Sequence, residues 1–186
     1  MNMDFLGVFR FLLDNFQREG IDFALIGGFA LEAQGVVRTT LDIDMLIMSE
    51  ENTKIKDIMI QVGYELIHES EDVLNFCSNK AALGRVDFLL AHRRYAKAML
   101  ERAELKGVLG GKFKIKVLKI EDIIGLKVQS SSNDPARKPQ DMADIVSLFK
   151  KHYPHMDIKL LEEYFRLFDR EEELKAIIRE AQKNAQ

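Results

Sequence analysis

The chain has 186 residues, enough for one domain or for one domain with a small appendage. Hydrophobic residues make up 47% of it, so it can bury a packed core, and a net charge of -3 gives no sign of a general nucleic-acid binder. Cys77 is the only cysteine, which excludes an intrachain disulfide and a cysteine-based zinc site.

Met1-Asn2-Met3-Asp4 lacks the basic region and cleavage site of a signal peptide, and no apolar run approaches membrane-spanning length. The expectation is a soluble cytoplasmic protein. Phe5, Phe9, Leu12, Leu13 and Phe16 recur at helical spacing, which predicts a helix over 3–19 stopped by Gly20. A short strand over 23–26 meets Gly27-Gly28, followed by a helix over 29–34 that Gly35 ends. Residues 42–48 read as the central strand, and 49–52 as the cap of a helix running to about 62. Strands are expected over 64–68, 73–78 and 84–90, then a helix over 92–102. Two strands around Gly110-Gly111 form a hairpin in which Phe113, Ile115 and Val117 alternate with Lys112, Lys114 and Lys116. From residue 119 onward the pattern is helical, over 120–131, 139–151, 157–168 and 170–184, with a loop at 134–139. The fold class is therefore α+β: a mixed sheet flanked by helices over 1–118, then a helical region over 119–186.

The chemistry concentrates in Asp42-Ile43-Asp44. Side chains two apart on a strand share a face, so the two aspartates project together while Ile43 points away. Such a pair on an otherwise apolar strand repels unless a cation lies between. The natural occupant is Mg²⁺, with Mn²⁺ as a substitute, because a hard ion takes a few carboxylate oxygens and leaves positions for water and phosphate. Asp87, in Arg85-Val86-Asp87-Phe88-Leu89, is an aspartate among strand formers. If its strand neighbours the first, Asp87 completes a three-carboxylate cluster; otherwise it is a structural acid paired with Arg85 or Arg38.

Gly27 and Gly28 lack Cβ, so the chain can turn tightly and approach a phosphate, with the next helix offering free N–H groups. Arg38 could bind a phosphate or pair with the cluster. The hydroxyls of Thr39 and Thr40 could orient the start of the aspartate strand. The Lys112, Lys114 and Lys116 strip is either a contact for RNA phosphates or a solvated strand face. The four histidines show no ligand spacing with the acids.

Gly-Gly, a short helix, Arg-x-Thr-x-Asp-Ile-Asp and a later strand-borne aspartate together resemble the nucleotidyltransferase superfamily with the DNA polymerase β-like fold. The minimal bacterial members, including abortive-infection and toxin-type ones, are the nearest in pattern. The resemblance covers roughly residues 22–150. It implies catalytic and metal-binding roles for Asp42, Asp44 and Asp87, with one ion holding the triphosphate and the other activating the acceptor hydroxyl, and nucleotide binding by Gly27, Gly28, Arg38, Thr40 and Lys127. Lys127 would reach the β- and γ-phosphates from the first helix of the second half. Asp141 and Asp144 resemble the Lys/Arg-x-x-Asp-x-x-Asp signature that follows such a lysine. They could anchor Lys127 or Arg137, or simply favour the helix N-terminus. The activity implied is transfer of a nucleoside monophosphate from an NTP to a hydroxyl of RNA, protein or a small molecule. An antibiotic acceptor, a non-catalytic nucleotide- or partner-binding module, and pairing with a cognate antitoxin are the alternatives.

Overall fold

A computed structural model describes residues 3–184. Residues 1, 2, 185 and 186, at the ends of the two expected regions, lie outside the described residues. The chain forms two compact units, one built from residues up to Ala33 with Arg38–Leu118, the other from Gln34–Val37 with residues from Lys119 on. No described helix is long and apolar enough to cross a membrane.

The first unit opens with helix α1 (Phe5–Glu19). Asp4 caps it by accepting the Gly7 N–H at 3.0 Å, and Gly20 ends it in the left-handed region at φ 67°. Its apolar stripe buries Val8, Phe9, Leu12 and Phe16. The remaining elements are β1 (Phe23–Leu25), α2 (Gly27–Ala33), β2 (Asp42–Met48), α3 (Asn52–Val62), β3 (Glu65–Glu69), β4 (Val73–Cys77), β5 (Arg85–Ala91), α4 (Arg94–Glu101), β6 (Glu104–Val108) and β7 (Phe113–Val117). The strands form one mixed sheet in the order β3-β4-β5-β2-β1-β7-β6. β2 lies at its centre, parallel to β5 and antiparallel to β1.

One face of this sheet is the core. Ile43, Met45 and Ile47 of β2 and Val86 of β5 are wholly buried there, with Phe88 nearly so. The Phe16 ring of α1 packs edge-on against Phe23 at 5.1 Å and tilts against Phe88 at 6.2 Å. Phe29 of α2 meets both Phe5 and Phe9 at 5.0 Å. From Met45 to Ile47 β2 is buried on both faces, which is why those residues form an unbroken apolar run. Near its start, Asp42 and Asp44 reach partial exposure on the second face.

The second unit contains α5 (Ile120–Asn133), a 3₁₀ turn at Pro135–Arg137, α6 (Lys138–His152), α7 (Ile158–Arg166) and α8 (Glu171–Asn184). Lys138, expected in the loop, begins α6, and Pro139 sits in its first turn, where its missing N–H costs no bond. The Tyr164 hydroxyl donates to the buried Asp122 carboxylate at 2.6 Å. The Arg170 guanidinium donates to Val128 O and Ser131 Oγ near the end of α5, at 3.0 and 2.7 Å. The Lys151 ammonium donates to Gly35 O at 2.7 Å, which ties residues 34–37 to this unit.

Candidate active site

Register brings the three aspartates together. Asp44 on β2 lies directly across from Asp87 on parallel β5, and Asp42 lies across from Arg85. Each aspartate offers one carboxylate oxygen within 4.8 Å of the other two. At an effective dielectric near 20, two charges about 5 Å apart repel by roughly 3 kcal/mol. Three such pairs in one place make a site that gains by taking up positive charge. The donor set is hard, oxygen-only and partly exposed, which fits a divalent Mg²⁺ or Mn²⁺ ion keeping water and phosphate among its ligands.

The glycines before this strand serve the cluster directly. Gly27 has φ 61°, and a Cβ there would come 2.0 Å from Asp44 Oδ2. A Cβ on Gly28 would come 2.5 Å from Thr40 Cβ and 2.6 Å from Thr40 Oγ1. The double glycine therefore lets the backbone lie against a carboxylate of the cluster and against the threonine beside it. Helix α2 starts at Gly27, not at Phe29 as its apolar pattern suggested, so both glycines belong to its first turn.

The Thr40 hydroxyl holds Asp42: it donates to Asp42 Oδ1 at 2.9 Å and approaches Asp42 O at 3.2 Å. Arg38 is half-buried at the start of the same segment, and Thr39 is exposed. Arg85 Nε donates to both oxygens of Asp87, at 3.0 and 2.9 Å. That hydrogen bond is the main reason Arg85 is held more basic than usual. Partial desolvation opposes it, and the charges of Asp87, Asp42 and Asp44 reinforce it.

Asn75 of β4 lies across from Asp87 on the same face, a neighbour that sequence reading missed. Its position follows from the β4–β5 register, which no local pattern announces.

Lys127 belongs to the helical unit and is 7% exposed. Its ammonium donates to Asp141 Oδ1 at 3.1 Å and Asp144 Oδ2 at 2.5 Å, and both aspartates are buried. The Arg137 guanidinium stands 3.7 Å from Asp141 Oδ2, so two cations face two carboxylates. Of the lysine strip, Lys116 pairs with Asp22 at 2.6 Å, whereas Lys112 and Lys114 are exposed.

Solved structures share this fold over most of the chain. The antibiotic-resistance factor ANT(2'')-Ia superposes with a TM-score of 0.65 at 13% identity, covering 97% of this chain and 100% of its own. The lincosamide antibiotic adenylyltransferase LnuA, solved with lincomycin, gives 0.54 at 18% identity over 80% of this chain and 98% of its own. An antigenic nucleotidyltransferase-like protein from Paracoccidioides brasiliensis gives 0.54 at 17% identity, over 90% and 88%. No curated protein matches the chain in sequence. The family described as "Nucleotidyl transferase of unknown function (DUF2204)" matches residues 7–182, and the chain belongs to it and is an enzyme of the nucleotidyltransferase class.

Proposed function

We propose that the enzyme moves a nucleoside monophosphate from an NTP to an acceptor hydroxyl at the Asp42–Asp44–Asp87 cluster. The observation that carries this reading is the convergence of three carboxylates at one end of two parallel strands, in a chain of this family. Asp42 and Asp44 would hold two divalent ions, and Asp87 the one on the acceptor side. Such ions, when bound, supply charge neutralisation on the transferred phosphoryl group and acidify the acceptor hydroxyl.

The chain's own groups do the rest. In this reading Asp87 either holds the acceptor-side ion or takes the acceptor's proton. The acceptor oxygen then forms a bond to the α-phosphorus as the bond to the β-phosphate bridging oxygen breaks, and pyrophosphate leaves. Thr40 fixes the orientation of Asp42 through its hydroxyl. Gly27 and Gly28 keep the backbone open to phosphate oxygens. Arg38 supplies positive charge beside the segment. Lys127 would bind the β- and γ-phosphates, the role that the resemblance implies.

The acceptor is a second question. Among the alternatives, an antibiotic hydroxyl is favoured by the likeness of fold to ANT(2'')-Ia, solved with adenylyl-2''-tobramycin, and to the lincosamide antibiotic adenylyltransferase LnuA. A cognate antitoxin draws no support from the fold or the comparisons. The test is to incubate the protein with each α-labelled NTP, Mg²⁺ or Mn²⁺, and separate pools of aminoglycosides, lincosamides, RNA and protein. Label appearing in one pool identifies the acceptor class. Absence of label from every pool, with every NTP, would overturn the transferase reading.

A further inference from the structure

We propose that Arg85 is the resident counter-ion of the carboxylate cluster and competes with a divalent cation for Asp87. The inference rests on the metal reading above. Three observations support it. Period 2 along β5 puts Arg85 and Asp87 on one face, and register puts Arg85 directly across from Asp42. Its Nε contacts both oxygens of Asp87 at 3.0 and 2.9 Å, so the guanidinium occupies the side of the carboxylate that a chelating cation would take. Its side chain is 48% exposed against 17% for Asp87, so the guanidinium can swing into solvent while the carboxylate stays in place.

The consequence is an order of filling. Both Arg85 Nε contacts go to Asp87, so the first ion enters at Asp42 and Asp44. Asp87 chelates an ion through both oxygens only after the guanidinium has left it. Arg85 is thus a positioning residue: it keeps Asp87 aimed into the cluster when no cation is there, and it weakens the last metal-binding step.

The experiment is a Mn²⁺ titration of the nucleotide-free protein, followed by calorimetry and electron paramagnetic resonance. Arg85→Gln should tighten the weaker step about three- to fivefold, the modest factor expected from a half-exposed pair. Arg85→Lys, which keeps the charge, should fall between. In an Asp87→Asn background the effect of Arg85→Gln should disappear. The unmodified protein supplies an independent reading: its Arg85 Nε–H nuclear magnetic resonance signal should shift on saturation with Mg²⁺. Mn²⁺ binding equally tight in wild type and Arg85→Gln, or an Arg85 signal unmoved by Mg²⁺, would overturn the competition while leaving the metal site standing. No Mn²⁺ binding by either protein would overturn the metal reading and this inference with it.

Discussion

Replacing Gly27 by alanine tests the tightest contact in the site. Two costs combine there. An L-residue at φ 61° occupies the left-handed region, which costs about 1–2 kcal/mol. The new Cβ would also come within 2.0 Å of Asp44 Oδ2 and 2.6 Å of Asp44 Cγ, so the carboxylate or the turn is displaced. Overpacking of that kind adds about 1–3 kcal/mol. The sum, roughly 2–5 kcal/mol, corresponds to a melting point lowered by about 5–20 °C for a chain of this size. Gly20→Ala is the internal control, because Gly20 has nearly the same φ, 67°, with nothing within 4 Å of its added Cβ. It carries the backbone cost alone. Thermal melts of the two variants isolate the collision, and Mn²⁺ titration reads its effect on Asp44. Gly27→Ala should melt lower than Gly20→Ala and bind Mn²⁺ more weakly, whereas Gly20→Ala should bind it as wild type does. Equal melting points together with unchanged Mn²⁺ affinity would refute the claim that this glycine makes room for the carboxylate.

Thr40→Val removes the hydroxyl that holds Asp42 at 2.9 Å; it should weaken Mn²⁺ binding several-fold, and Thr40→Ser should restore it. Lys127→Met leaves Asp141 and Asp144 buried without their ammonium, so it should destabilise the protein by about 3–5 kcal/mol in urea unfolding, whereas Asp144→Asn, which keeps one carboxylate per ammonium, should cost less. The Tyr64 hydroxyl donates to Leu83 O at 2.6 Å, and burial raises its pKa above the usual tyrosine range. A raised folded value means stability that is complete below the unfolded pKa of about 10 and is lost as pH climbs beyond it. Tyr64→Phe should therefore cost about 1 kcal/mol at neutral pH and flatten the loss of stability above pH ~10, followed by circular dichroism.

What can be read from the residues depends on the range of the signal. Asp42 and Asp44 stand out because a period of two is local: the strand alone decides which face they share. The position of Asp87 beside them depends on the pairing of β2 with β5, separated in the chain by α3 and a hairpin, so the residues support it only as a conditional. Gly27 and Gly28 are legible as a tight turn, but not as the partners of Asp44 and Thr40, because the colliding atoms come from another strand and its lead-in. Arg85 is visible as a face neighbour of Asp87, and only side-chain geometry assigns it both carboxylate oxygens. In the helical unit, the i,i+3 spacing of Asp141 and Asp144 signals a common partner, and the packing of α5 against α6 selects Lys127 for the short contacts. The start of α2 escapes its apolar pattern because glycine carries no helical signal, though it suits the left-handed opening residue.

Asp44→Asn asks whether the carboxylate cluster carries the transfer. It preserves the shape of the side chain while removing a charge from the middle of the cluster, so the fold should survive, and relief of carboxylate repulsion can even raise the melting point. The measurement is transfer of α-label from NTP to the acceptor by wild type and variant, with pyrophosphate release followed in parallel. If the aspartate cluster carries the transfer, the wild type gives both products and a folded Asp44→Asn gives neither. Equal labelling by the two proteins would contradict it and leave Asp42-Ile43-Asp44 a structural feature of the strand.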